Sequence, residues 1–153
     1  MKRNKLSKVS VSYDKILPGF KPPRLGPAKI KTIIEVLLAL EKIKKPVSIV
    51  FTGNIEIKKL NRLYRYRNTP TDVLSFEYGK DEMLLGEIII SLETAKKQAS
   101  KYGNNFAKET VILLIHGFYH INGYKHYRKA DYHKMQKKEK SAFAALKSKG
   151  LVD

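Results

Sequence analysis

Three of the chain's four histidines, His116, His120 and His126, fall within eleven positions. On a helix, residues four apart share a face one turn apart, so His116 and His120 would aim their imidazoles at one point. Asn122-Gly123 is a turn signal that would end such a helix. Five residues separate His120 from His126, enough for the chain to turn and return a third imidazole. Three neutral ring nitrogens around one point suit a divalent transition metal, zinc first. Three protein ligands leave one position open for water, the pattern of a catalytic site. An HxxxH pair alone is usually two half-buried histidines; the third histidine beyond a glycine turn is what strengthens the metal reading. Gly117 stands where HExxH metalloproteases carry their glutamate base. Between Ser100 and Ala130 the only acidic residue is Glu109, so no nearby carboxylate is expected as ligand or base.

These histidines need elements to hold them. Thr110–Ile115 is a strongly apolar lead-in, and with Val111, Ile112, Leu114 and Ile115 around it this should be the central buried helix. Upstream, Lys8–Ile16 alternates as a strand, and Leu17–Pro27, with four prolines, is a connection. Ala28–Lys44 repeats apolar residues at helical spacing, with Pro27 at its first turn. Pro46–Thr52 is a second strand, followed by a helix to about Tyr64 with Asn54 as its expected N-cap. Asp72–Tyr78 and Leu84–Ser91 are further strands, the latter apolar enough to be covered on both faces. Ser91 should cap a helix from Leu92 to about Tyr102, and Gly103 should end it. Lys125–Lys129 reads as a basic loop and residues from about Ala130 to Lys147 as a last helix. The sum is an α+β fold: a mixed four-stranded sheet with four to five helices, expected as one domain over residues 1–153.

Composition narrows the partners. Lys and Arg number 31 against 14 acids, a net charge of +17, and such an excess favours an anionic partner, nucleic acid first. The same excess would also fit a merely solvated surface. With no cysteine, disulfides and thiolate metal ligands are excluded. The basic N-terminus lacks the apolar stretch of a secretory signal, and the apolar runs are too short to span a membrane, so a cytoplasmic protein without membrane contact is expected.

Two stretches read together resemble a known family. HGFYHINGYKH at residues 116–126 is similar to the HGxLHLxGYDH signature of the YbeY family, bacterial metal-dependent endoribonucleases of ribosomal RNA maturation. LNRLYRYRNTPTDVLSF at residues 60–76 is similar to its central LNxxYRxxDxPTDVLSF block, and LGEIIIS at residues 85–91 to a third. Met135 and Glu139 match a looser pattern in the last helix. Lys125, Asn68 and Glu87 each stand where the family has Asp. Lys125 removes a contact that could have fixed the loop and adds positive charge at the site mouth.

The resemblance implies a zincin-like histidine helix and one Zn2+ per chain on His116, His120 and His126, with no small-molecule cofactor. It implies Arg65 as the catalytically important arginine, and the residue suits that role: its planar fork can bind phosphate and stabilise charge developing on phosphorus. It implies single-strand-specific cleavage of ribosomal RNA near the 3′ end of the small-subunit rRNA, with ribosomal proteins or a ribosome-associated GTPase as candidate partners. Ser75, Lys125 and Arg128 are candidate substrate contacts, and Tyr127 and Lys129 could extend the same surface. Asp72 could fix its loop, and Gly117 and Gly123 should serve packing and the turn. His133 lies outside the motif and reads as a surface residue. The nucleophile is either an activated water or the RNA's own 2′-hydroxyl. The alternatives are a non-catalytic ribosome-assembly factor with structural zinc and a peptidase, the latter opposed by Gly117.

Overall fold

The computed structural model of the protein describes residues 8–153. The basic residues 1–7 lie outside them, so the reading of the N-terminus as lacking a signal stands as an expectation. Among the described residues, four strands run β1 (Val9–Tyr13), β2 (Val47–Thr52), β3 (Val73–Glu77) and β4 (Gly86–Ser91). Five helices accompany them: α1 (Pro27–Leu40), α2 (Asn54–Arg65), α3 (Leu92–Tyr102), α4 (Phe106–Ile121) and α5 (Lys129–Ser148). The sheet order is β1-β2-β4-β3, with β1, β2 and β4 parallel and β3 antiparallel on one edge. This is the mixed α+β sheet that the element pattern implies.

Strand alternation assigns the two faces. Val47, Ile49 and Phe51 of β2 and Ile88 and Ile90 of β4 join the main core, with α1, α4 and α5 over them. Ile89 and Leu74 point the other way and pack with Ile57 of α2, while Val50 and Phe76 lie against that smaller cluster. β4 is therefore covered on both faces, as its unbroken apolar run requires. Helix α4 is buried along most of its length, from Glu109 to Ile121.

The helix ends follow local chemistry. The Ser91 Oγ accepts the Thr94 N–H at 3.3 Å, and Gly103 closes α3 in the left-handed region at φ +71°. Asn54, expected as an N-cap, instead occupies the first helical position behind Gly53. Its Oδ1 accepts hydrogen bonds from Ser91 Oγ at 2.5 Å and Thr94 Oγ1 at 2.6 Å, tying α2 to the start of α3. An asparagine side chain finds these tertiary donors better partners than its own helix's amides, a competition that local sequence does not reveal. α1 also ends at Leu40, short of the expected Lys44, because Lys42 turns left-handed at φ +54°. Among the described residues, no helix is long and apolar enough to cross a membrane.

Candidate active site

The last turn of α4 and the bend after it bring the three histidines together. Asn105 caps the helix start by accepting the Lys108 N–H at 2.8 Å. At the far end, the Tyr124 N–H donates to the Tyr119 carbonyl at 3.0 Å and the Gly123 N–H to the His120 carbonyl at 3.1 Å. With Gly123 at φ +90°, this is a Schellman closure, and the Tyr119 and Tyr124 rings pack edge-on across it at 5.5 Å. The closure reverses the chain so that His126 returns to the helix end, its ring 4.8 Å from that of His120 and 6.0 Å from that of His116.

One ligand atom from each histidine lies within 4.8 Å of the others. The His120 Nδ1 lies 3.1 Å from the Tyr124 carbonyl, which can only accept, so Nδ1 carries the proton. The His116 Nδ1 likewise meets Glu139 Oε1 of α5 at 3.2 Å. With both rings neutral, each Nε2 is a lone pair, and the two face one another at 3.0 Å. Two lone pairs so placed repel unless a cation lies between them. Their spacing is close to the roughly 3.3 Å that a tetrahedral ion with bonds of about 2.0–2.1 Å imposes. The donor set therefore fits a metal ion, and burial, followed by the charges of His116 and His126, pulls the His120 pKa down to about 4, which keeps it neutral for ligation.

Glu139 supplies the carboxylate that the histidine segment lacks, as a hydrogen-bond partner of His116 rather than as a member of the three-nitrogen cluster: it comes from a different helix, 23 residues further on. Glu109, the only acid within that segment, is buried at the opposite end of α4 and accepts from Asn104 Nδ2 at 2.9 Å.

The histidines line a cleft of about 810 Å³ against the edge strand β3. Arg65, the last residue of α2, enters it from the other face of the sheet: its Nη2 donates to the Ser75 carbonyl at 2.9 Å, and its guanidinium sits 5.1 Å from the Phe76 ring centre. The loop that delivers β3 is pinned by buried Asn61, whose Nδ2 donates to the Thr69 carbonyl at 2.9 Å, a role the motif alone did not assign. Asp72 secures it further by accepting from Val73 N at 2.7 Å and Gln98 Nε2 at 3.2 Å. Ser75 lines the cleft, as does Lys125, which pairs with Glu77 at 3.3 Å. Arg128 is exposed at the N-cap of α5 and is not among the cleft-lining residues. His133 is exposed beside Tyr132.

Gly117 explains the missing glutamate. A Cβ there would lie 2.7 Å from Ile88 Cγ2 and 3.3 Å from Ser75 Oγ, so α4 rests directly on the sheet at this point. A larger side chain there would have to displace the Ile88 side chain.

The sequence model of the endoribonuclease YbeY family matches residues 26–147. The chain belongs to this family. An endoribonuclease YbeY of Geobacter metallireducens is 36% identical over 137 residues, covering 84% of this chain and 91% of that one. One of Carboxydothermus hydrogenoformans is 43% identical over 102 residues, covering 65% of this chain and 71% of its own length. The solution structure of a Thermotoga maritima protein shares the fold, with a TM-score of 0.60, 24% identity and 95% of each chain covered. The family signature residues are those that converge here: His116 and His120 at the end of α4, His126 beyond its closing turn and Arg65 at the end of α2 reach one cleft.

Proposed function

We propose that the protein is a zinc-dependent endoribonuclease that cleaves single-stranded ribosomal RNA at the 3′ end of the small-subunit rRNA during ribosome maturation. The observation that carries this reading is the pair of bare imidazole nitrogens facing each other at 3.0 Å in the same cleft as Arg65. His116, His120 and His126 would hold the zinc. Bound there, zinc would act as a Lewis acid that polarises the scissile phosphate and makes an attacking hydroxyl easier to deprotonate.

The chain's own residues do the rest. Glu139 and the Tyr124 carbonyl fix the tautomers of His116 and His120, keeping both Nε2 atoms available as ligands. The Ser75 carbonyl and the Phe76 ring hold the Arg65 guanidinium at the cleft edge, and its remaining N–H donors bind the phosphate and stabilise negative charge as it builds on phosphorus. Lys125 adds positive charge at the mouth once phosphate competes with Glu77 for it. The Ser75 hydroxyl offers a polar contact within the cleft, and Arg128, outside it, meets the RNA backbone further along. The net charge of +17 draws the polyanion in. Ribosomal proteins or a ribosome-associated GTPase would deliver the substrate, and the fold acts as one domain.

The test is cleavage of a small-subunit rRNA fragment by zinc-loaded protein. Arg65→Ala should lower kcat by about 10²–10³, the usual loss for one donor to a transition-state oxyanion, with zinc retained. Undiminished cleavage by Arg65→Ala, or wild-type protein that binds rRNA without cutting it, would contradict the proposal.

A further inference from the structure

Tyr127 is 85% exposed, yet it follows a metal-site histidine directly and lines the cleft. Its ring lies 5.5 Å from that of His126 at an interplanar angle of 34°, closer to parallel than to edge-on. It takes no part in the hydrophobic core. Of the other side chains lining this mouth, Lys125 and Arg65 can recognise phosphate; the Phe76 ring is taken up by the Arg65 guanidinium and Tyr78, 37% exposed, donates to Glu87, so Tyr127 is the cleft's ring most open to solvent. A large aromatic ring left in water beside a phosphate-binding cleft is the feature by which proteins hold unpaired bases, since every base has a π-face to stack.

We propose that Tyr127 is a base-stacking residue, holding an unpaired nucleobase next to the phosphate that lies between the histidines and Arg65. The inference rests on the endoribonuclease reading and makes it more specific. A base must leave its helix to lie on Tyr127, so single-strand preference would come from this ring as well as from the shape of the cleft. The contact is blind to hydrogen-bonding edges, so it selects for an unstacked nucleotide and not for a particular base.

The experiment is steady-state cleavage of a short single-stranded RNA by zinc-loaded wild type, Tyr127→Ala, Tyr127→Phe and Tyr102→Ala, with zinc content measured for each. Tyr102 is a half-exposed tyrosine at the end of α3, remote in sequence from the site. Tyr127→Ala should raise KM about tenfold with kcat and zinc content unchanged, and Tyr127→Phe should behave as wild type. A second substrate carries a single abasic nucleotide, moved through the positions flanking the scissile bond. At one position it should weaken wild type by the same factor and leave Tyr127→Ala no weaker than before. If Tyr127→Ala loses zinc or kcat with KM unmoved, the ring positions His126 and the proposal fails. If Tyr127→Ala equals wild type and Tyr102→Ala, no base rests on Tyr127, while the nuclease reading stands. If wild type neither binds nor cleaves the RNA, both readings fail together.

Discussion

Glu139 on α5 holds the Nδ1 side of His116 on α4 at 3.2 Å, so the tautomer of one imidazole depends on the packing of two helices. The carboxylate is roughly one-quarter exposed, at 26%, which leaves the pair partly shielded from solvent. Removing such a partner commonly costs 10–100-fold in metal affinity. Glu139→Gln should show a loss in that range in competition with a chromophoric chelator, with unchanged circular dichroism. Equal affinity in both proteins would mean that Glu139 does not orient His116.

The close approach at Gly117 predicts a different kind of loss. Gly117→Ala puts a methyl group within 2.7 Å of Ile88 Cγ2, between a buried helix and a buried strand. The helix-propensity gain of about 1 kcal/mol should be outweighed by overpacking of about 1–3 kcal/mol. Thermal unfolding should therefore move to lower temperature, and a raised melting temperature would contradict the packing described.

Helix α4 is also fastened to α1 and α5 through one carboxylate. The buried Tyr119 hydroxyl donates to Glu41 Oε1 at 3.0 Å, and Lys138 Nζ reaches the same oxygen at 3.2 Å. Burial, with the Glu41 charge second, pushes the Tyr119 phenol well above its ordinary pKa, so it stays a donor. Tyr119→Phe removes the donor and leaves Lys138 to satisfy Glu41, and should cost about 1–2 kcal/mol in denaturant unfolding. No loss would show that the ring's packing alone holds the three helices.

His120 gives the metal-free protein a pH dependence of definite sign. Its pKa is about 4 in the folded protein against 6.5 for the free group, so the unfolded chain binds more protons between those values. Stability of the metal-free protein should be full above pH 6.5, fall as pH drops towards 4, and level off below as far as His120 is concerned. For a half-buried imidazole the loss should be on the order of 1–2 kcal/mol. His120→Gln should flatten that part of the curve; a metal-free wild type equally stable at pH 4.5 and 7 would contradict the burial of a neutral ring.

What could be read from the chain follows from where the information sits. Histidines four apart and a turn glycine are local, and α4, its closure and His126 follow from them directly. The period-two and period-3.6 patterns likewise mark four strands and five helices. Features made by distant segments were hidden. Glu139 joins His116 only because α5 packs on α4, Asn54 turns from its own helix to Ser91 and Thr94, and Asn61 reaches forward to pin Thr69. Arg128, read as part of the basic loop, stands at its end, at the N-cap of α5 and outside the residues that line the cleft. Conversely, Arg65 and the histidines, more than fifty positions apart, could be joined from sequence only through family resemblance. The structure supplies the physical route, an arginine reaching around edge strand β3 to the Ser75 carbonyl.

His116, His120 and His126 are placed so that they could hold one metal ion between them. The most direct test of that role is metal content by mass spectrometry, on protein stripped with chelator, reloaded with zinc and desalted, for wild type beside His120→Ala. Wild type should retain one zinc per chain and His120→Ala should lose it while staying folded. Wild type that retains no zinc, or His120→Ala that retains as much as wild type, would contradict that role.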